Sequence, residues 1–512
     1  MFARVNSLGC FGMETFVVEV ECDLSNGSPR FDLVGLPDAA VKESRDRVRA
    51  SVKNAGFKFP VSHLTANLAP ADRPKEGPVY DLPLFIAVLI ASGQLRADFS
   101  GCAFFGELSL DGSVRRVNAA LPMVMQARDS GWKEVFVPAD NAAESAVVEG
   151  INVYPVEHVT DLIAHIRGHA ALQPAVPITA EAAHRFPVPD FADVKGQHEA
   201  RRALEIAAAG NHNVLMIGPP GSGKSMLAKR LPSILPEMAY GESLETTKIY
   251  SVAGELRGDV SLIRERPFRS PHHTISSAGL SGGGSVPRPG ELSLAHNGVL
   301  FLDELPEFDR RVTEVLRQPL EDGKVTIARA AATISYPCAV MLVCAMNPCR
   351  CGFFGHPTRR CTCPQGDPAK YLSRVSGPLL DRLDIHIEVP PVDFQRLSSE
   401  EKGEASEAIR ARVNAARQIQ EARFKGSGIY SNSKMTAAQT REFCKLNAQS
   451  AALLEKAFLT LGLSARAYDK ILRVARTIAD LDNSGNIEIP HIAQAIQLRS
   501  LDRKFWSPAS GA

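Results

Sequence analysis

The 512 residues carry a formal net charge of +1, with 45% hydrophobic and 22% charged side chains, the mix of ordinary folded domains. At roughly 150 residues per domain that length predicts about three, and the near-neutral balance excludes nucleic-acid binding through a global field, leaving only local basic surfaces. No signal pattern follows Met1-Phe2-Ala3-Arg4-Val5, and the longest apolar run, Leu82 to Ala91, is about half a membrane span; a cytoplasmic protein is expected.

Residues 1–168 form the first block. Thr15-Phe16-Val17-Val18-Glu19-Val20 alternates as a strand does, and Asp38 to Ala55 has helical spacing. Asn67-Leu68-Ala69-Pro70-Ala71-Asp72 through Lys75-Glu76-Gly77-Pro78, with Phe105-Gly106-Glu107-Leu108 and Gly112-Ser113-Val114-Arg115, resembles the Lon-protease-like domain, an α+β fold. In active Lon-type proteases a nucleophilic Ser follows Gly-Pro and a catalytic Lys lies on a later helix. Val79 and Pro122 stand at those positions here, offering neither nucleophile nor amine, so the resemblance implies a scaffold. Gln173-Pro174-Ala175-Val176-Pro177 through Phe186-Pro187-Val188-Pro189 then marks a linker, residues 169–189.

Residues 190–395 alternate helix and strand as a parallel α/β sheet would, an αβα core. The apolar strand Val214-Leu215-Met216-Ile217 runs straight into Gly218-Pro219-Pro220-Gly221-Ser222-Gly223-Lys224-Ser225, a P-loop in its required strand–loop–helix setting. Its backbone N–H groups can close around phosphate oxygens, with Lys224 on the β/γ-phosphates and Ser225 on Mg²⁺; otherwise it is a glycine-rich turn. Gly298-Val299-Leu300-Phe301-Leu302 delivers Asp303 and Glu304 at a strand's C-terminal end, where α/β sheets place their sites. Asp303 would bind the metal and Glu304 polarise the attacking water. Without the P-loop, the pair would read equally well as a solvated acidic turn.

With Pro306-Glu307-Phe308, Leu316-Arg317-Gln318-Pro319-Leu320-Glu321-Asp322-Gly323, Arg269-Ser270-Pro271-His272-His273-Thr274-Ile275 and Pro287-Arg288-Pro289-Gly290-Glu291, the chain resembles the YifB/ComM family of magnesium-chelatase-like AAA+ ATPases, through all three blocks. The resemblance implies an ATP- and Mg²⁺-dependent homo-oligomeric ring, a hexamer. Its ComM branch consists of helicases driving branch migration when incoming DNA recombines in natural transformation, which implies branched or single-stranded DNA as partner. It assigns Asn347, ending Val343-Cys344-Ala345-Met346-Asn347, to sensor 1; Arg382, in Leu379-Leu380-Asp381-Arg382-Leu383-Asp384, to the arginine finger; and Arg466, in Ser464-Ala465-Arg466-Ala467, to sensor 2. On residue type alone, Asn347 before Pro348 is a turn former and the two arginines are surface residues.

Cys349-Arg350-Cys351 and Cys361-Thr362-Cys363 flank a nine-residue polar loop. Four thiolates so paired can converge tetrahedrally on Zn²⁺, although C-x-C departs from the commoner C-x₂-C spacing; two disulfides or free thiols are the alternatives. His356 could replace one ligand. The insertion from about Val252 to Arg288 carries Arg257, Arg264, Arg266, Arg269, His272 and His273. Family analogy places it, and a hairpin around Lys324–Tyr336, at a ring pore, where Lys324, Arg329 and Arg269 could meet DNA phosphates; a solvated surface loop is the other reading. Residues 396–512 read as a helical lid, with helical spacing over Ala405 to Phe424, Ala448 to Leu461, Ala465 to Leu481 and Pro490 to Arg499. The expected activity is a DNA-translocating ATPase. A magnesium-chelatase-type ATPase subunit that remodels a protein partner is the alternative, and an ATP-dependent protease is disfavoured by Val79.

Overall fold

The computed structural model describes residues 2–176, 188–256, 260–284, 287–328, 333–356, 358–392, 403–499 and 501–506. Most of the expected linker, the 395/396 boundary, Arg257 and Arg329 lie outside them.

In the N-terminal block the strands β1 (Phe2–Phe11), β2 (Glu14–Ser25), β3 (Arg30–Val34) and β4 (His63–Ala69) form one sheet in the order β1-β2-β4-β3. Along β2 the alternation expected over Thr15–Val20 buries Phe16, Val18, Val20 and Cys22 against the helix Asp81–Ala91, which is apolar almost all round and correspondingly buried. The Ala39–Asn54 helix starts where Asp38 accepts the Val41 N–H at 2.7 Å, an N-cap that satisfies an otherwise orphaned donor. A second, parallel sheet joins β5 (Cys102–Phe104), β8 (Glu134–Pro138) and β9 (Asn152–Val156), with a hairpin of β6 (Glu107–Leu108) and β7 (Val114–Arg115) beside it. Val79 is buried in the short turn Pro78–Tyr80, and Pro122 is buried in the helix Ala120–Asp129.

The central sheet is parallel, in the order β11-β14-β17-β10-β18, from β10 (Val214–Ile217), β11 (Phe268–Arg269), β14 (Val299–Leu302), β17 (Met341–Met346) and β18 (Ile385–Glu388). Its middle strands are apolar at every position because both faces are covered. Val214 and Met216 point into a core shared with the C-terminal helices, Leu215 and Ile217 into one shared with the hairpin of β15 (Lys324–Ala328) and β16 (Thr333–Pro337). In the insertion, β12 (Gly282–Gly283) pairs with β13 (Arg288–Pro289).

The C-terminal helices do not stand apart from this sheet. Helix Ser406–Arg423 lies along helix His198–Gly210, with Arg417 and Gln420 donating to the carbonyls of Ala208 and Ala209 at 3.1 and 3.0 Å. A short helix, Ala437–Phe443, interrupts the expected series; its Thr436/Gln439 capping box was the available signal. The N-terminal block docks on helix Tyr240–Ala253. The Ala119 N–H donates to the Ser251 carbonyl at 2.9 Å, and the Ser251 hydroxyl donates to buried Glu144. The β1–β2 turn also reaches the central block: at Gly12, φ +63°, an added Cβ would lie 2.4 Å from Ile334 Cγ2 on β16. Among the described residues no helix is long and apolar enough to cross a membrane.

Candidate nucleotide site

Strand β10 ends at Ile217, the loop 218–223 turns over its C-terminal end, and Lys224 opens the next helix. Lys224 Nζ donates to the carbonyls of Gly218 and Pro219 at 2.8 and 3.0 Å and to Asn347 Oδ1 at 3.2 Å. Its three protons are thereby satisfied by the loop and by Asn347. Burial lowers the Lys224 pKa, opposed by the charges of Asp303 and Glu304. Ser225 Oγ donates to Asp303 Oδ2 at 2.6 Å. This hydroxyl and carboxylate are hard oxygen donors of the kind Mg²⁺ takes, so the pair fits the expected metal position.

Glu304 sits at φ +52°, in the left-handed region, which non-glycine residues occupy at some energetic penalty. Its own N–H donates to Asp303 Oδ1 at 2.9 Å, and its carboxylate lies 3.6 Å from His273 Nδ1. His273 packs on His272, ring centroids 4.1 Å apart. The expectation placed both histidines in the pore insertion; the fold brings one of them to the candidate water-polarising group. Asn347 ends β17, beside β10 and β14. Glu304 and Asn347 together with residues 220–226, Asp303 and Met346 line a cavity of about 380 Å³. Gln197 was not singled out in the sequence. It donates to the Ser222 carbonyl at 3.1 Å and the Pro390 carbonyl at 2.6 Å, tying the P-loop to segments distant in sequence.

Arg382 and Arg466 are elsewhere. Strands β10 and β18 are parallel, with Val214 opposite Ile385; the P-loop follows the one, whereas Arg382 precedes the other. The two therefore lie at opposite ends of the sheet, roughly 13 Å of strand apart. Arg382 donates to the carbonyls of Arg317 and Pro378 at 2.9 and 2.7 Å and to Glu321 at 2.7 Å. Arg466 joins it at that end, 3.5 Å from Asp381. One turn along the same helix, Lys470 Nζ lies 2.9 Å from Asp384, whose carboxylate also faces His212 at 3.4 Å. Burial opposes the charge on Asp384, but Lys470 and His212 outweigh it and hold this carboxyl well below the usual range.

The cysteine cluster is brought together. Sγ atoms of Cys349, Cys351 and Cys361 lie 3.4, 3.5 and 3.7 Å apart, and Cys363 completes a group within 4.8 Å. A disulfide needs about 2.05 Å, and all ten cysteines are free. Tetrahedral zinc with Zn–S of about 2.3 Å needs S···S near 3.8 Å, so the four thiols fit it. Burial pushes Cys349 up to about 12, whereas at Cys351 the N–H groups of Phe353 and Thr362 outweigh burial and bring the thiol down to about 5. His356 instead accepts from the Arg359 N–H at 3.0 Å and is outside the group.

Of the expected nucleic-acid contacts, Arg269 is committed within the fold. It makes a bidentate pair with Glu291, both bonds 2.7 Å, and reaches Glu255 at 3.1 Å; phosphate would have to displace two carboxylates. Arg266 is likewise spent on Glu242 and the carbonyls of Pro236 and Asn297. Lys324 is exposed but opposite Pro337 at the base of the hairpin, away from its turn.

Residues 190–397 match the family model described as magnesium chelatase, subunit ChlI; residues 20–141 match subunit ChlI of Mg-chelatase, and residues 403–499 the subunit ChlI C-terminal region. The competence protein ComM of Haemophilus influenzae is 45% identical over 507 residues, 98% of each chain. YifB of Escherichia coli is 43% identical over 501 residues, 98% of this chain and 97% of that one. Lon protease 2 of Bacillus subtilis is 32% identical over 150 residues, 27% of this chain and 26% of that one, in keeping with a Lon-like N-terminal block. With a parallel P-loop sheet, a helical C-terminal domain and near-full-length likeness to both proteins, the chain belongs to the YifB/ComM family of magnesium-chelatase-like AAA+ ATPases.

Proposed function

We propose that the chain is an ATP-driven DNA motor, a branch-migration helicase that works as a homo-oligomeric ring, a hexamer, in the recombination of incoming DNA. The observation that carries this reading is the position of Arg382 and Arg466 together at the sheet end opposite the P-loop. Neither can serve its own nucleotide, but both can serve a neighbour's, so hydrolysis belongs to the interface between subunits.

In that assembly Lys224 meets the β/γ-phosphates, Ser225 and Asp303 hold Mg²⁺, and Glu304 takes the proton of the water that Asn347 orients. Arg382, released from Glu321, neutralises charge developing on the neighbour's phosphoryl group, with Arg466 beside it. The cysteine loop holds a structural Zn²⁺. Exposed Arg264, Arg288 and Lys324, with Arg329, supply DNA contacts that read backbone charge and not sequence. The Haemophilus relative's designation as a competence protein supports the DNA assignment. The chelatase family models favour one other reading, a motor that remodels a protein partner.

One measurement separates them: ATP hydrolysis by the full chain with and without four-way DNA, at low and moderate salt. Stimulation by branched DNA that fades steeply with salt is expected. No response to single-stranded, forked or four-way DNA would sink the DNA-motor reading and leave the chelatase-type one.

A further inference from the structure

Arg350 stands between two cysteines of the cluster and three residues after Asn347. It lines a second cavity of about 390 Å³ with Glu304, Glu307, Asn347, Tyr371 and Arg374. This cavity adjoins the nucleotide cavity, because Glu304 and Asn347 wall both. The two groups placed to act on the attacking water are thus the partition, and Arg350 lies beyond it from the P-loop.

The cations of the second cavity are not equivalent. Arg374 is engaged, donating to Glu307 at 3.2 Å and to the Pro306 carbonyl at 3.3 Å. Arg350 is exposed and has no hydrogen-bond or ion-pair partner among the described residues. Its side chain is free, but its backbone is held twice. The flanking Sγ atoms of Cys349 and Cys351 converge at 3.4 Å, and the next residue, Gly352, is pressed on the P-loop. A Cβ at Gly352 would lie 2.3 Å from Pro220 Cδ, and its φ of +83° suits glycine.

We propose that Arg350 forms a subsite for inorganic phosphate beside the nucleotide, oriented by the cysteine cluster. The inference rests on the reading of this site as an ATPase. In hydrolysis the water oxygen bonds to the γ-phosphorus, Glu304 takes the water proton, and the bond to the bridging oxygen breaks with its electron pair leaving on ADP. In-line attack puts the water, and then the separated phosphate, on the side of the phosphoryl group away from ADP, which is the side of the partition. There an unpaired guanidinium is the matching partner, since its planar fork can take two oxygens of one phosphate.

The test uses the full chain, zinc-loaded, with MgATP as substrate and added inorganic phosphate as product inhibitor. Arg350→Ala should weaken inhibition by inorganic phosphate about tenfold or more and lower kcat. KM, ADP affinity and zinc content should stay unchanged, and Arg350→Lys should fall between. Arg360→Ala, exposed in the same loop, should do nothing. Unchanged phosphate inhibition in Arg350→Ala, or a parallel loss of ADP affinity, overturns the subsite. Removing zinc should reproduce the phosphate defect with ADP binding intact. If ADP binding goes as well, the cluster supports the P-loop instead and its link to Arg350 is overturned. Absence of hydrolysis by the unaltered protein overturns the ATPase reading itself, whereas normal hydrolysis with an indifferent Arg350→Ala overturns only the subsite.

Discussion

Lys224 and Glu304 face one cavity and should fail differently. Lys224→Ala removes a charge-assisted grip on phosphate, so nucleotide affinity should fall by about ten- to a hundredfold, read by titration with a fluorescent ATP analogue. Glu304→Gln keeps shape and binding but removes the proton acceptor; kcat should fall by about 10²–10⁴ with affinity near normal. Normal turnover by either variant would contradict the assigned roles. The insertion arginines make a second contrast. Arg266, with Glu242 and two carbonyls as partners, holds the insertion to the body; Arg266→Ala should destabilise the fold by about 2–3 kcal/mol. Arg264→Ala, on an exposed residue, should leave stability within about 0.5 kcal/mol. Thermal unfolding of the two variants side by side checks this.

At the scale of elements, the Ala465–Leu481 helix and the segment around Arg382 are fastened by Lys470–Asp384 and Arg466–Asp381. The Asp384 carboxyl is held below its unfolded value, so its ionised form stabilises the fold above the usual carboxylate range, about pH 4. That contribution is lost as pH falls through and below that range. Asp384→Asn should therefore lower stability at pH 7 by about 3 kcal/mol and flatten the acid limb of a denaturant-midpoint profile; an unchanged limb would contradict the clasp. These fastenings also show what the sequence could convey. The strand–loop–helix at Lys224 and the strand before Asp303 were legible because apolar runs and turn chemistry act over a few residues. The C-x-C pairs announced a four-thiol cluster for the same reason. What no local pattern could report is which distant groups meet: His273 with Glu304, Gln197 with Ser222 and Pro390, Gly352 with Pro220. Charge counting could not report the partners of Arg266 and Arg269, since a guanidinium's partners are decided by packing between segments and not by its neighbours in sequence.

At the scale of the whole molecule, Arg382 and the P-loop lie at opposite sheet ends, so on the proposed finger role activity is a property of pairs. In a head-to-tail ring assembled from equal parts Arg382→Ala and Lys224→Ala chains, about one interface in four joins an intact P-loop to an intact finger. Mixing two inactive proteins should restore up to about a quarter of wild-type hydrolysis, measured in rings whose assembly is verified. No recovery would place Arg382 outside the neighbour's site. The seat of Gly12 against Ile334 has a different, mechanical consequence. The β1–β2 turn lies too close to the Thr333–Pro337 strand to admit a side chain at position 12, so any movement of that strand in the proposed hydrolysis cycle would press on the N-terminal sheet. On the proposed motor reading, the Lon-like N-terminal block would be the abutment against which that hairpin bears, and a methyl group added at Gly12 would load the contact before any nucleotide is bound.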